Sequence, residues 1–104
     1  MNEALVDIVE DGESESCRVN FEGYLTMANI VSIKQQVDDW LNDLTAKTVN
    51  IQIQNTSDVD LSFLQLMEVL GNYLKNEGFA MTMKWELDDE MKTLFKQAGF
   101  VKYT

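Results

Sequence analysis

The chain has 104 residues, of which 8 are Lys or Arg, 18 are Asp or Glu and none is His, so its formal net charge is −10. Its length fits one domain, and an apolar fraction of 45% indicates a packed core rather than a disordered acidic chain. The charge argues against nucleic acid and anionic membrane surfaces as partners, and the lack of His removes the commonest general base and metal ligand.

An antiparallel hairpin is predicted across residues 4–21. Its first half is rich in apolar and β-branched residues, and Asp11-Gly12 is a strong turn dipeptide. From residue 16 to residue 21 apolar and polar side chains alternate, which is typical of a strand with one buried face. Gly23 is expected to end this strand.

Helices and strands alternate through the rest of the chain. Apolar residues recur at helical spacing in three segments, at about residues 27–45, 60–77 and 88–98. Clean alternation predicts further strands at 49–53 and 79–85, and residues 100–104 are expected to form a short final strand or tail. Capping residues complete the pattern: Thr26, Asp60 and Asp88 at the helix starts, Gly78 and Gly99 at the ends.

The element order β-β-α-β-α-β-α predicts a single α/β domain that occupies residues 1–104 without a linker or repeat. Successive strand–helix–strand units favour a mainly parallel sheet, to which the hairpin adds one antiparallel strand. Parallel strands that are covered on both faces have continuous apolar runs, whereas apolar and polar residues alternate in the strands predicted at 49–53 and 79–85. We therefore expect a mixed, mainly parallel sheet of four to five strands with three helices mostly packed on one face.

Motifs for catalysis or cofactor binding are missing from the sequence. There is no glycine-rich phosphate loop, no Cys/His cluster for zinc and no calcium-loop spacing among the acids. We therefore predict no catalytic residues, no metal site and no cofactor. The start of the chain lacks a secretory signal and no run approaches the ~18 apolar residues that span a bilayer, so we expect no membrane insertion and a cytoplasmic location.

The hydroxyl-rich stretch 56–62 is the candidate site, interpreted as a loop that leaves a strand and enters a helix. Ser62 lies two residues after Asp60, the predicted helix cap. A helix N-terminus has free N–H groups and partial positive charge, which suit an anion. A phosphate on Ser62 would add about −1.5 to −2 charge there. The alternative is that Ser62 occupies the first turn of the helix without a functional role.

The order of the elements, together with four short motifs, resembles the STAS domain, a family named after sulfate transporters and anti-sigma-factor antagonists. The resemblance extends from about residue 16 to residue 104. It rests on four segments: residues 21–26, similar to the family's strand and the Gly-x-Leu start of its first helix; 49–53, similar to its central strand; Asp60-Leu61-Ser62, similar to its Asp-x-Ser motif; and 97–100, similar to the end of its final helix.

The resemblance implies a small, non-enzymatic regulatory protein that works by partner switching. In such antagonists a serine kinase of the histidine-kinase-like ATPase type, which is also the anti-sigma factor, phosphorylates the position that corresponds to Ser62. The unphosphorylated antagonist binds this kinase and frees the sigma factor, and a serine phosphatase resets the cycle. The partner-binding surface that the resemblance implies comprises Gly23, Tyr24, Leu25, Thr26, Thr56, Ser57, Asp58, Asp60 and Phe63.

Two positions depart from the family's pattern. Phe63 stands where the family often has Gly, and Gln52 stands where the central strand commonly has Asp. The sequence around Ser62 looks closer to single-domain STAS proteins of chemosensory systems and to the STAS subunit of lipid-transport complexes. A second hypothesis is therefore a constitutive accessory subunit of a chemosensory or lipid-transport ATPase complex. A third is a small-ligand binder or an enzyme that uses Asp58, Asp60 and Ser62.

Overall fold

The computed structural model describes residues 2–97 and 99, which form four strands and three helices in the order β-β-α-β-α-β-α. The strands are β1 (Ala4–Asp11), β2 (Ser16–Leu25), β3 (Thr48–Val59) and β4 (Ala80–Trp85). The helices are α1 (Ile30–Asp43), α2 (Leu61–Asn76) and α3 (Asp89–Gln97). The final strand or tail expected over 100–104 lies outside the described residues.

The four strands form one mixed sheet in the order β1-β2-β3-β4. The β1–β2 hairpin is antiparallel, and β2–β3 and β3–β4 pair in parallel. Each parallel pair is joined by a helix, because parallel neighbours need a long crossover connection. The predicted α/β class with a mixed, mainly parallel sheet is confirmed.

Buried and more exposed side chains alternate along the central strands, so the two faces of the sheet differ. On one face the side chains of β2 and β3 are almost completely buried: Cys17, Val19, Phe21, Val49, Ile51 and Ile53. They face the apolar sides of the helices, which contribute Ile33, Val37, Trp40, Phe63, Met67, Leu70 and Leu74 to the same core. The opposite face carries polar residues such as Asn50 and Gln52. The helices therefore pack on one face, as the period-2 pattern predicted.

A chain of aromatic rings ties α2 to the sheet. The ring of Phe63 meets Phe21 of β2 edge-on, with centroids 5.4 Å apart. It meets Trp85 of β4 in the same way at 6.0 Å. Each edge-to-face pair of this kind contributes about 0.5–1.5 kcal/mol to stability, beyond the contribution from burying the rings. The first turn of α2 is therefore held over the middle of the sheet.

The strands on both sides of the candidate site are longer than predicted. β2 continues through Gly23 to Leu25, and β3 continues through the predicted loop to Val59. The pairing shifts twice between these segments, so that β3 gains two extra residues relative to β2. Asn55 takes up part of this excess with a φ of +49°, in the left-handed region that Asn tolerates. β2 and β3 therefore remain paired, in a shifted register, over residues that the sequence pattern assigned to a loop.

The start of α1 also differs from the prediction. The helix begins at Ile30 rather than near residue 27, and its N-cap is Asn29, whose side chain does not cap the helix. The Asn29 side-chain amide instead donates to the carbonyl oxygens of Tyr24 (2.8 Å) and Asn2 (3.0 Å). The Asn29 N–H donates to the carbonyl of Thr26 at 2.9 Å, so Thr26 lies in a turn before the helix. The predicted cap role of Thr26 is therefore wrong.

The predicted cap residues of α2 and α3 agree with the structure. Asp60 caps α2 with its side chain, and Asp88 accepts a hydrogen bond from the N–H of Met91 at 2.8 Å at the start of α3. Gly78 and Gly99 follow α2 and α3 with φ of +85° and +89°. Among the described residues, no helix is long and apolar enough to cross a membrane.

Candidate functional site

The predicted site lies where β2 and β3 end and α2 begins, and Asp60 is its centre. One carboxylate oxygen, Oδ1, accepts hydrogen bonds from the backbone N–H groups of Ser62 (3.0 Å) and Phe63 (3.4 Å). The Ser62 hydroxyl donates to the same oxygen. These contacts satisfy N–H groups that the first turn of a helix leaves without partners.

The second oxygen of Asp60 reaches a different part of the chain. Oδ2 accepts a hydrogen bond from the backbone N–H of Met27 at 2.7 Å, in the turn between β2 and α1. The backbone N–H of Asp60 donates to the carbonyl of Leu25 at 3.1 Å. Asp60 therefore joins the start of α2 to the β2–α1 turn through both its side chain and its backbone.

The environment of Asp60 favours its charged form. Partial burial raises the pKa of the carboxyl group, but the hydrogen bond from the Ser62 hydroxyl and those from the three backbone N–H groups outweigh it. The pKa of Asp60 therefore lies below its ordinary value of 3.8. With both oxygens engaged inside the protein, this carboxylate is occupied by structural contacts.

Ser62 is half-buried in the first turn of α2. Its hydroxyl is oriented by the Asp60 carboxylate, to which it donates a hydrogen bond. A phosphate on this oxygen would lie near the positive end of the α2 dipole and also beside a carboxylate. Its charge would act directly on the hydrogen bonds that hold the β2–α1 turn.

The remaining predicted site residues divide into surface and core positions. Ser57 and Asp58 are exposed on the extended part of β3, and Asp58 Oδ1 accepts from the N–H of the next residue at 2.9 Å. The half-buried residues next to them are Gly23, Tyr24, Thr26 and Thr56. Tyr24 is paired with Asp58 in the β2–β3 ladder, and the Thr56 hydroxyl points to the sulfur of Met91 at 4.0 Å.

Leu25 and Phe63 do not lie on this surface. Both side chains are fully buried, with exposed fractions of 0%. Phe63 packs against Phe21 and Trp85, so a large apolar side chain at this position fills the core rather than meeting a partner. We therefore omit Leu25 and Phe63 from the candidate partner surface.

Sequence reasoning missed Met27 and Asn29 as parts of the site. Met27 offers its N–H to Asp60, and its own side chain is 72% exposed beside that contact. Asn29 anchors the same turn to Tyr24. An Asp at a helix start indicates a cap, but no local pattern indicates a contact between residues that are 33 positions apart.

The described residues offer little support for metal or nucleophile chemistry. Among them, no group of three or more His, Cys, Asp or Glu is placed to hold a metal ion. Cys17 is buried in the core, and burial raises the pKa of its thiol, which disfavours the reactive thiolate. The Asp58–Asp60–Ser62 set has one exposed carboxylate, that of Asp58.

The fold and the site can be compared with known proteins. No family model matches the sequence, and no curated protein matches it either. The solved structures that share the fold include SpoIIAA, a Bacillus cell fate determinant, in its phosphorylated form, and SpoIIAA, an anti-sigma factor antagonist, in its unphosphorylated form. Both are 14% identical to this chain and match 95% of it.

The two matches extend over most of the compared chains. The TM-score is 0.62 for the phosphorylated form, of which 87% is covered, and 0.63 for the unphosphorylated form, of which 84% is covered. A match of this extent takes in the hairpin, the strand–helix units and the mixed sheet. The chain therefore has the STAS-like fold of SpoIIAA, as the order of its elements and motifs predicted.

Proposed function

We propose that this chain is a non-enzymatic regulatory protein that binds partner proteins and exchanges them when Ser62 is phosphorylated. The single observation that carries the proposal is the position of Ser62, in the first turn of α2 with its hydroxyl held by Asp60. The shared fold with an anti-sigma factor antagonist seen in phosphorylated and unphosphorylated forms supports it.

The structure suggests how a phosphate would change the surface. Asp60 and a phosphorylated Ser62 would be two adjacent anions competing for the same backbone N–H groups of α2. Two adjacent anions repel each other. The Asp60 carboxylate also accepts the hydrogen bond from the Met27 N–H, so this repulsion would act on that contact as well. Phosphorylation would therefore alter both the charge of the surface and the contact that fixes the β2–α1 turn.

The proposed partner surface combines the extended ends of β2 and β3 with the turn that precedes α1. It is formed by Gly23, Tyr24, Thr26, Thr56, Ser57, Asp58, Asp60 and Ser62. It contains two Asp residues and no Lys or Arg, so a partner that docks here should supply positive charge. We propose as partners an anti-sigma factor that is also a serine kinase of the histidine-kinase-like ATPase type, and a serine phosphatase, all in the cytoplasm.

Phosphosite mapping tests the proposal directly. The protein is incubated with ATP and the histidine-kinase-like ATPase encoded nearest to its gene, and modified residues are identified by mass spectrometry. We expect phosphate on Ser62, none in Ser62→Ala, and binding of Ser62→Asp to the kinase weakened about tenfold or more, which corresponds to ~1.4 kcal/mol.

Ser57 provides the matched control, because it is an exposed serine on the same surface. Ser57→Ala should be phosphorylated as the unchanged protein is, and Ser57→Asp should affect kinase binding less than Ser62→Asp. Phosphate found elsewhere, or normal partner exchange by Ser62→Ala, would contradict the switch.

A second candidate function is a constitutive accessory subunit of a chemosensory or lipid-transport ATPase complex. The observation that favours it is that the Ser62 hydroxyl is half-buried and already satisfied by Asp60, so it contributes to the structure without modification. Co-purification with an ATPase or receptor complex that Ser62→Ala and Ser62→Asp leave unchanged would support this function over the switch.

A further inference from the structure

A second surface runs along the helix layer, away from β2 and β3. The α1–α2 groove is the cleft between the two helices, lined by Val37 and Leu41 of α1 and by Leu66, Val69, Leu70 and Tyr73 of α2, with a volume of about 490 Å³. Both helices cover the same face of the sheet, and the cleft between them leaves apolar side chains open to solvent. Val69 is 66% exposed and Tyr73 is 44% exposed.

The exposed and half-buried apolar residues that α2 contributes to the groove lie in one row. Leu66, Val69 and Tyr73 follow one another at i, i+3 and i+7, so they form one stripe along α2. This stripe is about 10 Å long at 1.5 Å per residue, which is the length of two helical turns. An apolar cleft of this length matches the apolar stripe of a short amphipathic helix.

The charges around the groove indicate what can occupy it. Its lining includes one cation and one anion, Lys34 and Asp38, which lie 3.8 Å apart and form an exposed i,i+4 pair. The groove is therefore apolar and near neutral within a chain of net charge −10. A second copy would bring another −10 to the contact, which opposes self-association, whereas a basic partner is attracted.

We propose that the α1–α2 groove binds an amphipathic helix of a partner protein, with apolar residues at i, i+3 and i+7 and a polar face rich in Lys or Arg. The inference rests on the proposed function in one respect, that the chain acts by binding a protein partner. It does not require phosphorylation of Ser62, because Ser62 is not among the residues that line the groove.

A synthetic peptide tests the proposal on the full chain. The probe is a helix of about 16 residues with Leu at i, i+3 and i+7 and Lys on the remaining face. We expect ¹H–¹⁵N NMR titration to shift the amide signals of Leu41, Leu66, Val69 and Tyr73, and expect the variant Val69→Gln/Tyr73→Gln to bind the peptide about tenfold more weakly. A peptide of the same composition with scrambled order should bind weakly to both proteins.

Two controls separate this proposal from its alternatives. Leu94→Gln removes an apolar residue of α3 that is 57% exposed and is not part of the groove lining, and it should leave peptide binding unchanged. Ser62→Ala should also leave it unchanged, so a failed phosphorylation switch is distinguishable from a failed groove.

Three results would overturn the proposal. Equal binding of the scrambled peptide would mean attraction by charge alone. Undiminished binding by Val69→Gln/Tyr73→Gln would place the peptide elsewhere. Sedimentation that shows a dimer of the unchanged protein, dissociated by the same double variant, would mean that a second copy covers the groove.

Discussion

At the scale of single residues, Asp60 has the widest influence on the candidate site. Its two oxygens serve different elements: Oδ1 caps α2, and Oδ2 holds the Met27 N–H in the β2–α1 turn. A neutral Asn keeps one acceptor oxygen and is itself a good N-cap, whereas Ala keeps neither contact. The two substitutions therefore separate the cap from the contact to the turn.

Replacing Asp60 should lower the free energy of unfolding in two steps. We expect Asp60→Asn to cost about 1 kcal/mol, because the contact to the Met27 N–H is lost, and Asp60→Ala to cost about 2 kcal/mol, because the cap is lost as well. Urea unfolding followed by tryptophan fluorescence measures both values. Equal losses in the two variants would mean that the contact to the turn carries all of the effect.

The pH dependence of the Asp60→Asn effect follows from the lowered pKa of Asp60. A carboxyl group whose pKa is lower in the folded state stabilises the fold fully above its unfolded-state value of ~3.9, and this contribution disappears as the pH falls through the folded-state pKa. The stability difference between the unchanged protein and Asp60→Asn should therefore be constant from about pH 7 to about pH 5 and shrink below about pH 4. A difference that grows on acidification would contradict the assignment.

Asp11 also has a lowered pKa, because it accepts hydrogen bonds from the Ser14 hydroxyl and from the backbone N–H groups of Glu13 and Ser14. It is present in both proteins of the Asp60→Asn comparison, so its contribution cancels in the difference. The pH profile of the difference thus reports on Asp60.

At the scale of elements, β2 shows how one residue lets a strand continue where a break was predicted. Gly23 has a φ of +86°, which L side chains rarely adopt, and it sits at a shift in the β2–β3 register. Beside it the carbonyl of Glu3 accepts a hydrogen bond from the N–H of Tyr24 at 3.0 Å. The glycine therefore serves the backbone of the β1–β2 hairpin rather than ending the strand.

Gly23→Ala should destabilise the hairpin through both conformation and contact. A Cβ at this position would lie 2.5 Å from the Glu3 carbonyl oxygen, so β1 would have to shift. We expect a loss of about 2–4 kcal/mol in the free energy of unfolding, from the left-handed φ and the clash together. Thermal unfolding followed by circular dichroism measures the loss.

Gly78→Ala is the matched control, since Gly78 has nearly the same φ of +85° but, apart from its chain neighbours, no atom within 4 Å of the point that an added Cβ would occupy. Gly78→Ala should lower the free energy of unfolding by about 1–2 kcal/mol, which is the cost of the left-handed φ alone. Equal losses at the two positions would mean that the contact with Glu3 has no effect on stability.

At the scale of the whole molecule, excess negative charge is the dominant feature. Cations number 8 against 18 anions, and the described ion pairs of Lys34, Lys47 and Lys84 are all exposed. Exposed pairs contribute little to stability, whereas repulsion among the remaining acids acts over the whole surface. The net electrostatic effect should therefore oppose folding at low salt.

Raising NaCl from about 20 mM to about 300 mM should stabilise the protein, because salt shortens the Debye length and screens repulsion between the acids. We expect a gain of about 0.5–1 kcal/mol, a rise in Tm of roughly 4 °C for a domain of this size. The variant Glu10→Gln/Glu13→Gln, which removes two exposed charges of the hairpin, should be more stable at low salt and respond less to NaCl. A Tm that falls with NaCl would show that the ion pairs outweigh the repulsion.

The sequence by itself determined the element order, the sheet class and the buried faces of α1 and α2, because hydrophobic periodicity is a local property that burial preserves. It was less reliable for α3, where Leu94 belongs to the apolar stripe of the sequence but is 57% exposed. It also identified Asp60 as the cap of α2 and placed Ser62 in the first turn, since capping depends on neighbours two or three residues away. These are the parts of the candidate site that local chemistry specifies.

Only the tertiary structure decided which site residues are accessible and what Asp60 contacts. Leu25 and Phe63 sit beside surface residues in the sequence but are core residues, because strand alternation and the aromatic contacts of α2 turn them inward. The hydrogen bond from Met27 to Asp60 and the continuation of β3 to Val59 both depend on strands brought together by the sheet. The α1–α2 groove likewise exists because two crossover helices share one face, a relation that no single segment encodes.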